Sequence, residues 1–416
     1  MTTRAIRLPA LVTAAVLIAS AVFTAPVQAN TVTAKPATAS ATDDKAVASA
    51  IAAYRTAYPQ MSEAAARAAF DQQLTRKNLQ VQVSANAAYG GSWFDAPSGV
   101  MHLSLTSPAA AAEALKTAQK LGIRAEAHVV KRSWADLERL ATSLQGNSVA
   151  KASNGLVGID VKSNTVTLAV SGESVSAVKA QGVPAGVAVV TGSNLKRELD
   201  AGCTSRLDCD WTIRAGAILK YNGSPICSVG FTARTSAGQR YSYTAGHCNS
   251  GGGTWSTGAQ AIGPMTGAIV SGGLDAGIIR NDNPWFQYDA GGEIYIESGS
   301  RTMPLNYVAP TMGYLLVGET VCLAANYTSP NGPNRCGIIG STNDGGMVRV
   351  DGLDACGGDS GGGWYWLGSA TYRVAYGIHS QSHSGCNGDQ GGSQSWFSPI
   401  PQITPLWGLA IETRAS

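Results

Sequence analysis

A serine set among glycines, Gly358-Asp359-Ser360-Gly361-Gly362, is the strongest chemical signal in the chain. A hydroxyl is a weak nucleophile, so it needs a base beside it and donors for the oxyanion it creates. Flanking glycines let backbone N–H groups turn toward one point and leave room for a substrate. The base is sought among His247, His379 and His383, the histidines of the C-terminal half. His247 closes Tyr241-Ser242-Tyr243-Thr244-Ala245-Gly246-His247-Cys248, a strand-like run ending in small residues and a cysteine. Ser360 as nucleophile and His247 as general base would perform acyl transfer through a covalent intermediate.

The elements that must hold these two residues are strands. Beyond about Leu199, short β-branched runs alternate with Gly, Asn and Ser clusters, and no long helical pattern appears before about Ile400. That texture predicts an all-β barrel or sandwich. The serine motif also satisfies G-x-S-x-G, the nucleophile elbow of α/β-hydrolases, which requires a helix after the serine. Here Gly363-Trp364-Tyr365-Trp366 follows, a strand-like run, and no parallel α/β pattern precedes it.

Thr244-Ala245-Gly246-His247-Cys248 together with Gly358-Asp359-Ser360-Gly361-Gly362 resembles the chymotrypsin-fold serine proteases, with the bacterial alpha-lytic protease and streptogrisin branch the best match. The resemblance covers roughly residue 215 to the end and implies an all-β double β-barrel. It implies an acid between the two motifs, on a strand with apolar neighbours. Leu274-Asp275-Ala276-Gly277-Ile278-Ile279 fits, whereas Asp282 sits in a turn-like Asn281-Asp282-Asn283-Pro284 and Asp289 is a further rival. In the implied mechanism Asp275 orients His247, and the N–H groups of Gly358 and Ser360 form the oxyanion hole. Asp359 would fix that loop. No metal or organic cofactor is called for; a zinc reading of His379 and His383 lacks the helix that would bring them together. The resemblance also implies disulfides Cys227–Cys248, Cys322–Cys336 and Cys356–Cys386, leaving Cys203 and Cys209 for each other.

The specificity pocket gives conflicting signs. Asp354 stands six residues before Ser360, where trypsin-like relatives place an acid that binds Arg or Lys at P1, the residue before the cut. Yet Gly377-Ile378-His379-Ser380-Gln381-Ser382 resembles the pocket wall of bacterial glutamyl endopeptidases, with His379 and Ser382 at the positions that bind a P1 carboxylate and Ser380 between them. Gly357 stands where a second pocket serine would be expected. Acidic, basic and broad P1 preferences all stay open.

The first 29 residues read as an export signal: Arg4 and Arg7, an apolar stretch from about Leu8 to Ala25, then Val27-Gln28-Ala29. All eight cysteines fall at or beyond Cys203, and an even number in an exported chain implies disulfides. The product is expected to be extracellular, unattached to membrane and monomeric. A net charge of only +3, with no basic stripe, argues against nucleic acid.

Residues 30–200 read as an α+β pro-region and 201–416 as the protease domain, with the polar Lys196-Arg197-Glu198-Leu199-Asp200 at the joint. Helix is predicted from about Ala50 to Asn78 with a break near Pro59, after Ser107-Pro108, and after Ser133. Val81 to Leu105 reads as strand with turns at Gly90-Gly91 and Pro97-Ser98-Gly99, and Val157 to Val170 as a hairpin about Asn164. Gly91-Ser92-Trp93-Phe94-Asp95 and Gly158-Ile159-Asp160 resemble pro-regions of the same branch, which help the protease fold and inhibit it until removed. With 49 glycines the chain loses much backbone entropy on folding, which makes a folding partner physically sensible.

Overall fold

The structure, a computed structural model, describes residues 43–145, 147–152, 155–191, 213–249, 251–258, 260–284, 291–296, 302–326, 333–383 and 392–414. The expected export signal, the joint at 196–200, Asp289, Cys203, Cys209 and Cys386 lie outside them.

Residues 43–191 begin with three helices, α1 (Asp43–Ala57), α2 (Glu63–Asp71) and α3 (Gln73–Ser84). Two units of one design follow. In the first, β1 (Tyr89–Asp95) and β2 (Val100–Leu105) form a hairpin, α4 (Pro108–Lys120) crosses over, and β3 (Ala125–Val129) lies parallel to β2. Helices α5 (Trp134–Gln145) and α6 (Ser148–Ala152) lead to the second unit. There β4 (Leu156–Asp160) and β5 (Thr165–Val170) form the hairpin, α7 (Val175–Gln181) crosses, and β6 (Val187–Thr191) lies parallel to β5.

The caps explain where the helices start. Ser107 accepts from the Ala110 N–H at the head of α4, with Pro108 in the first turn where its missing N–H costs nothing. Ser133 and Asp136 exchange reciprocal side-chain-to-backbone bonds before α5. Two expectations change. Helix α3 runs on to Ser84, past the β-branched Val81 and Val83, because Leu79 and Val83 are buried in the core. Gly90-Gly91 is no turn but part of β1, at a bulge; a Cβ at Gly90 would stand 2.7 Å from Val130 Cγ2.

In the C-terminal half, the first sheet is built from β7 (Ile218–Tyr221), β8 (Ser224–Ser228), β9 (Thr232–Arg234), β10 (Arg240–Thr244), β11 (Thr254–Thr257), β12 (Gln260–Ser271) and β13 (Leu274–Arg280), in the order β9-β10-β13-β12-β11-β7-β8. The link between β8 and β9 joins the ends of this half-barrel: Val229 N–H donates to Ala217 and Gly230 N–H to Tyr243. A small ladder of β14 (Glu293–Tyr295) and β15 (Thr302–Pro304) precedes the second sheet. That sheet contains β16 (Tyr307–Val308), β17 (Thr320–Ala324), β18 (Arg335–Asp344), β19 (Met347–Asp351), β20 (Gly363–Ser369), β21 (Tyr372–Ser382) and β22 (Gln394–Pro399), and the extra β21–β22 pairing closes six of these strands into a barrel. Helix α8 (Ile400–Trp407) then returns the chain to the first sheet, where β23 (Ala410–Ile411) pairs with β9. The C-terminal half is thus an all-β pair of a closed barrel and a half-barrel, preceded by an α+β region.

The two halves share an apolar core: Tyr54, Leu79 and Phe94 lie in one buried cluster with Cys322, Tyr365 and Leu367. Helix α3 adds polar contacts across the seam. Gln73 Nε2 donates to Leu367 O at 2.6 Å, and Gln80 Nε2 to Gly313 O at 2.6 Å. Lys77 meets Glu319 at 3.0 Å, both fully buried, within reach of the Tyr314 ring at 4.6 Å. Burial pushes the Glu319 carboxyl up and the Lys77 amine down, each opposed by the other's charge. Tyr376 O–H and Leu316 N–H hold the same Glu319 oxygen.

Candidate active site

The two barrels meet where three strand ends converge. His247 stands in a single 3-10 turn after β10, held against the sheet by the Cys227–Cys248 disulfide. Only glycine fits at 246, since a Cβ there would lie 2.1 Å from Ile269 O. Asp275 sits on β13, next to β10 in the sheet. Ser360 comes from the second barrel, on the loop that enters β20.

These side chains form one chain of hydrogen bonds. His247 Nδ1 lies 2.6 Å from Asp275 Oδ2, and His247 Nε2 lies 2.9 Å from Ser360 Oγ. The other Asp275 oxygen accepts the His247 backbone N–H at 2.9 Å. A carboxylate can only accept, so Nδ1 carries the ring proton and Nε2 presents a lone pair to the Ser360 hydroxyl. Burial pushes the Asp275 carboxyl up, but the hydrogen bond and charge of His247 and the Ser380 hydroxyl together outweigh it and hold the carboxyl below its ordinary value. A serine hydroxyl so placed can be deprotonated as it attacks an acyl carbon.

The serine loop is pinned from both sides. Ser228 N–H donates to Ser360 O and Ser228 Oγ to Gly358 O, each at 2.8 Å. His379 bonds the loop twice, its carbonyl accepting the Gly361 N–H at 2.8 Å and its N–H donating to Gly362 O at 2.8 Å. Gly361, at φ +88°, leaves no space for a side chain: a Cβ would meet Thr244 Oγ1 at 2.1 Å. Gly358 has φ +91°, and the buried Asp359 accepts the Cys356 N–H at 2.8 Å, fixing the turn from beneath. Among the described residues, no hydrogen-bond acceptor meets the N–H of Gly358 or of Ser360.

The expected pocket residues part company. Ser380, placed by sequence in the pocket wall, donates its hydroxyl to Asp275 Oδ2 at 2.5 Å. A β-bulge between His379 and Gln381 breaks the strand alternation and re-aims it. His379 is buried and accepts from Trp364 Nε1–H at 3.3 Å through Nδ1. Ser382 donates to Ala355 O at 2.8 Å, and Asp354 is fully buried, its carbonyl taking a bond from Arg335. Asp282 pairs with Arg280 away from the site. Sequence reasoning missed Ser398, which brackets Asp275 by accepting its N–H at 2.7 Å and donating to its carbonyl at 2.9 Å. A small hydroxyl in the aromatic run Trp396-Phe397-Ser398 was the available signal.

Disulfides Cys227–Cys248 and Cys322–Cys336 are formed, the latter directly across β17 and β18, and Cys356 is also disulfide-bonded. Among the described residues, two clusters bring three potential metal ligands together: Cys227, His247 and Cys248, whose sulfurs are tied to each other, and His102, Glu126 and His128.

No family model matches the chain. It is similar to Serine protease 2 of Streptomyces fradiae, 32% identical over 158 residues, which are 36% of this chain and 86% of that protein. Glutamyl endopeptidase 2 of Streptomyces griseus is 30% identical over 202 residues, 47% of this chain and 97% of that protein. Serine protease 1 of S. fradiae is 28% identical over 331 residues, 77% of this chain and 82% of that protein. Fold and relatives together define a serine-type endopeptidase. The chain belongs to the family of these bacterial serine proteases.

Proposed function

We propose that the chain is a secreted endopeptidase made as a latent precursor, in which Ser360, His247 and Asp275 cleave peptide bonds. The observation that carries this is the continuous chain from Asp275 through His247 to Ser360, at 2.6 and 2.9 Å. Ser360 Oγ attacks the scissile carbonyl while His247 Nε2 takes its proton, then returns it to the leaving amine. The oxyanion is received by the N–H groups of Gly358 and Ser360. Water enters by the same route and releases the acyl product. Asp275 holds the ring tautomer and offsets the imidazolium charge; Ser380 and Ser398 hold Asp275.

Residues 30–200 act as the pro-region, chaperoning and inhibiting the protease until removed. The shared core and the polar contacts of α3 support this. So does the match to Serine protease 1, which runs over 331 residues, too many to fall within 201–416 alone. Residues 1–29 serve export, and the released enzyme works as a monomer.

We favour an acidic P1 residue. The support is the likeness to a relative named a glutamyl endopeptidase and the place of His379 and Ser382 beside the serine loop. With Nδ1 accepting from Trp364, the His379 ring carries a proton on Nε2, the atom from which it would donate to a substrate carboxylate. A peptide library randomised at P1, cut by the processed enzyme with Ser360→Ala as control, tests both levels. Cuts after Glu or Asp support the pocket assignment, and cuts after Arg or Lys move that role to Asp354. Equal cutting by Ser360→Ala contradicts the mechanism.

A further inference from the structure

Away from the catalytic seam, the first unit of the N-terminal region carries an imidazole-rich face with no part in the reaction. Trp93, His102, Glu126 and His128 stand on three neighbouring strands. In register, Trp93 of β1 lies opposite His102 of β2, and His102 lies opposite Glu126 of β3. His128 is two residues beyond Glu126 on β3, so side-chain alternation returns it to the same face. His102 Nδ1 and His128 Nε2 approach to 2.9 Å, and a Glu126 carboxylate oxygen lies 3.7 Å from His102 Nδ1. The two imidazoles lie nearly in one plane, edge to edge, 21° apart, and both rest on the Trp93 indole at 9° and 13°.

We propose that His102, Glu126 and His128 form a binding site for a divalent transition-metal cation of the zinc or nickel type. Imidazole nitrogens with a carboxylate oxygen are the donor set such ions prefer. Two metal–nitrogen bonds of about 2.0–2.1 Å at a right angle would place their nitrogens about 2.9 Å apart, and a tetrahedral angle about 3.3–3.4 Å apart. The observed spacing therefore needs little or no opening, only rotation of the rings within their shared plane. Trp93 fixes the ring plane from one side, and Glu126, the most exposed of the three, can swing onto the ion. The sequence reading assigned no metal because it weighed only His379 and His383.

The site has a structural consequence. An ion here ties β2 to β3 beneath β1, and β1 touches the protease half directly, through the Phe94 N–H donating to Val317 O at 2.8 Å. Metal binding should therefore stabilise the unprocessed chain.

The test uses the full-length Ser360→Ala chain, which keeps the N-terminal region whether or not the native enzyme would remove it. Failure here is thus separate from failure of the protease reading. After EDTA dialysis, the chain is titrated calorimetrically with Zn2+ and, separately, Ni2+. One saturable site per chain, a rise in melting temperature with metal, and loss of both in His102→Asn/His128→Asn are expected. Glu126→Gln, an exposed change that leaves the fold intact, should weaken binding on the order of tenfold or more. No saturable site, or a site untouched by the histidine pair or by Glu126→Gln, overturns the proposal.

Discussion

The two halves of this chain are held in shape by different means. The C-terminal half closes on itself: a six-stranded barrel, a half-barrel joined through the β8–β9 link, buried Trp255, Trp364, Trp366 and Trp396, and two disulfides among the described residues. The N-terminal half contains no cysteine, and its two hairpin-helix-strand units present faces that another surface must cover. It lends its core to the protease and binds it through buried polar groups of α3. Disulfides stabilise one half by itself, whereas a buried ion pair across the seam stabilises only while both halves are present.

The comparison is broken most violently at the catalytic seam. Ser360→Ala or His247→Ala should lower turnover on the order of 10⁶-fold while leaving the fold unchanged, measured on a peptide amide. Asp275→Asn should cost about 10⁴-fold, because the wrong His247 tautomer then faces Ser360. Asp275 also predicts a pH dependence. Its folded-state proton affinity is below its unfolded value, so its contribution to stability is complete above about pH 4 and disappears as pH falls through the folded value. The stability gap between the parent chain and Asp275→Asn should therefore be constant near neutrality and shrink in acid, as read by denaturant unfolding.

At the seam between the halves, Lys77→Met removes the only cation bonded to buried Glu319 among the described residues. Stranding a buried charge costs about 3–5 kcal/mol, and urea unfolding of the full-length Ser360→Ala chain should show that loss. The double change Lys77→Met/Glu319→Gln should cost less than Lys77→Met alone, since no charge is then left stranded. A single change that costs nothing would mean the α3 contact contributes nothing to docking.

Much of the backbone around Ser360 and His247 was legible in sequence, because its constraints are local. A glycine must follow Ser360, where a side chain would strike Thr244, and a glycine must precede His247, where a side chain would strike Ile269. The starts of α4 and α5 were legible for the same reason, with Ser107 and Ser133 capping within their own turns. What stayed hidden depends on distant partners. Nothing near Lys77 announces Glu319, 242 residues away. Helix α3 overrides the strand preference of Val81 and Val83 only because a face of it is buried. The bond from Ser380 to Asp275 was hidden too, because it depends on a bulge that strand alternation cannot foresee.

The smallest expected effect sharpens that last point. Ser380→Ala removes one charge-assisted bond to Asp275, a loss of about 1.5–3 kcal/mol that should fall on kcat rather than on P1 preference. A change in P1 preference with unaltered kcat would return Ser380 to the pocket wall.

The most direct test of the central claim is to label the processed enzyme with a fluorophosphonate and locate the adduct by peptide mass mapping. The account predicts a single adduct on Ser360, with labelling slowed by orders of magnitude in His247→Ala. An adduct on another residue, or equal labelling without His247, would contradict it.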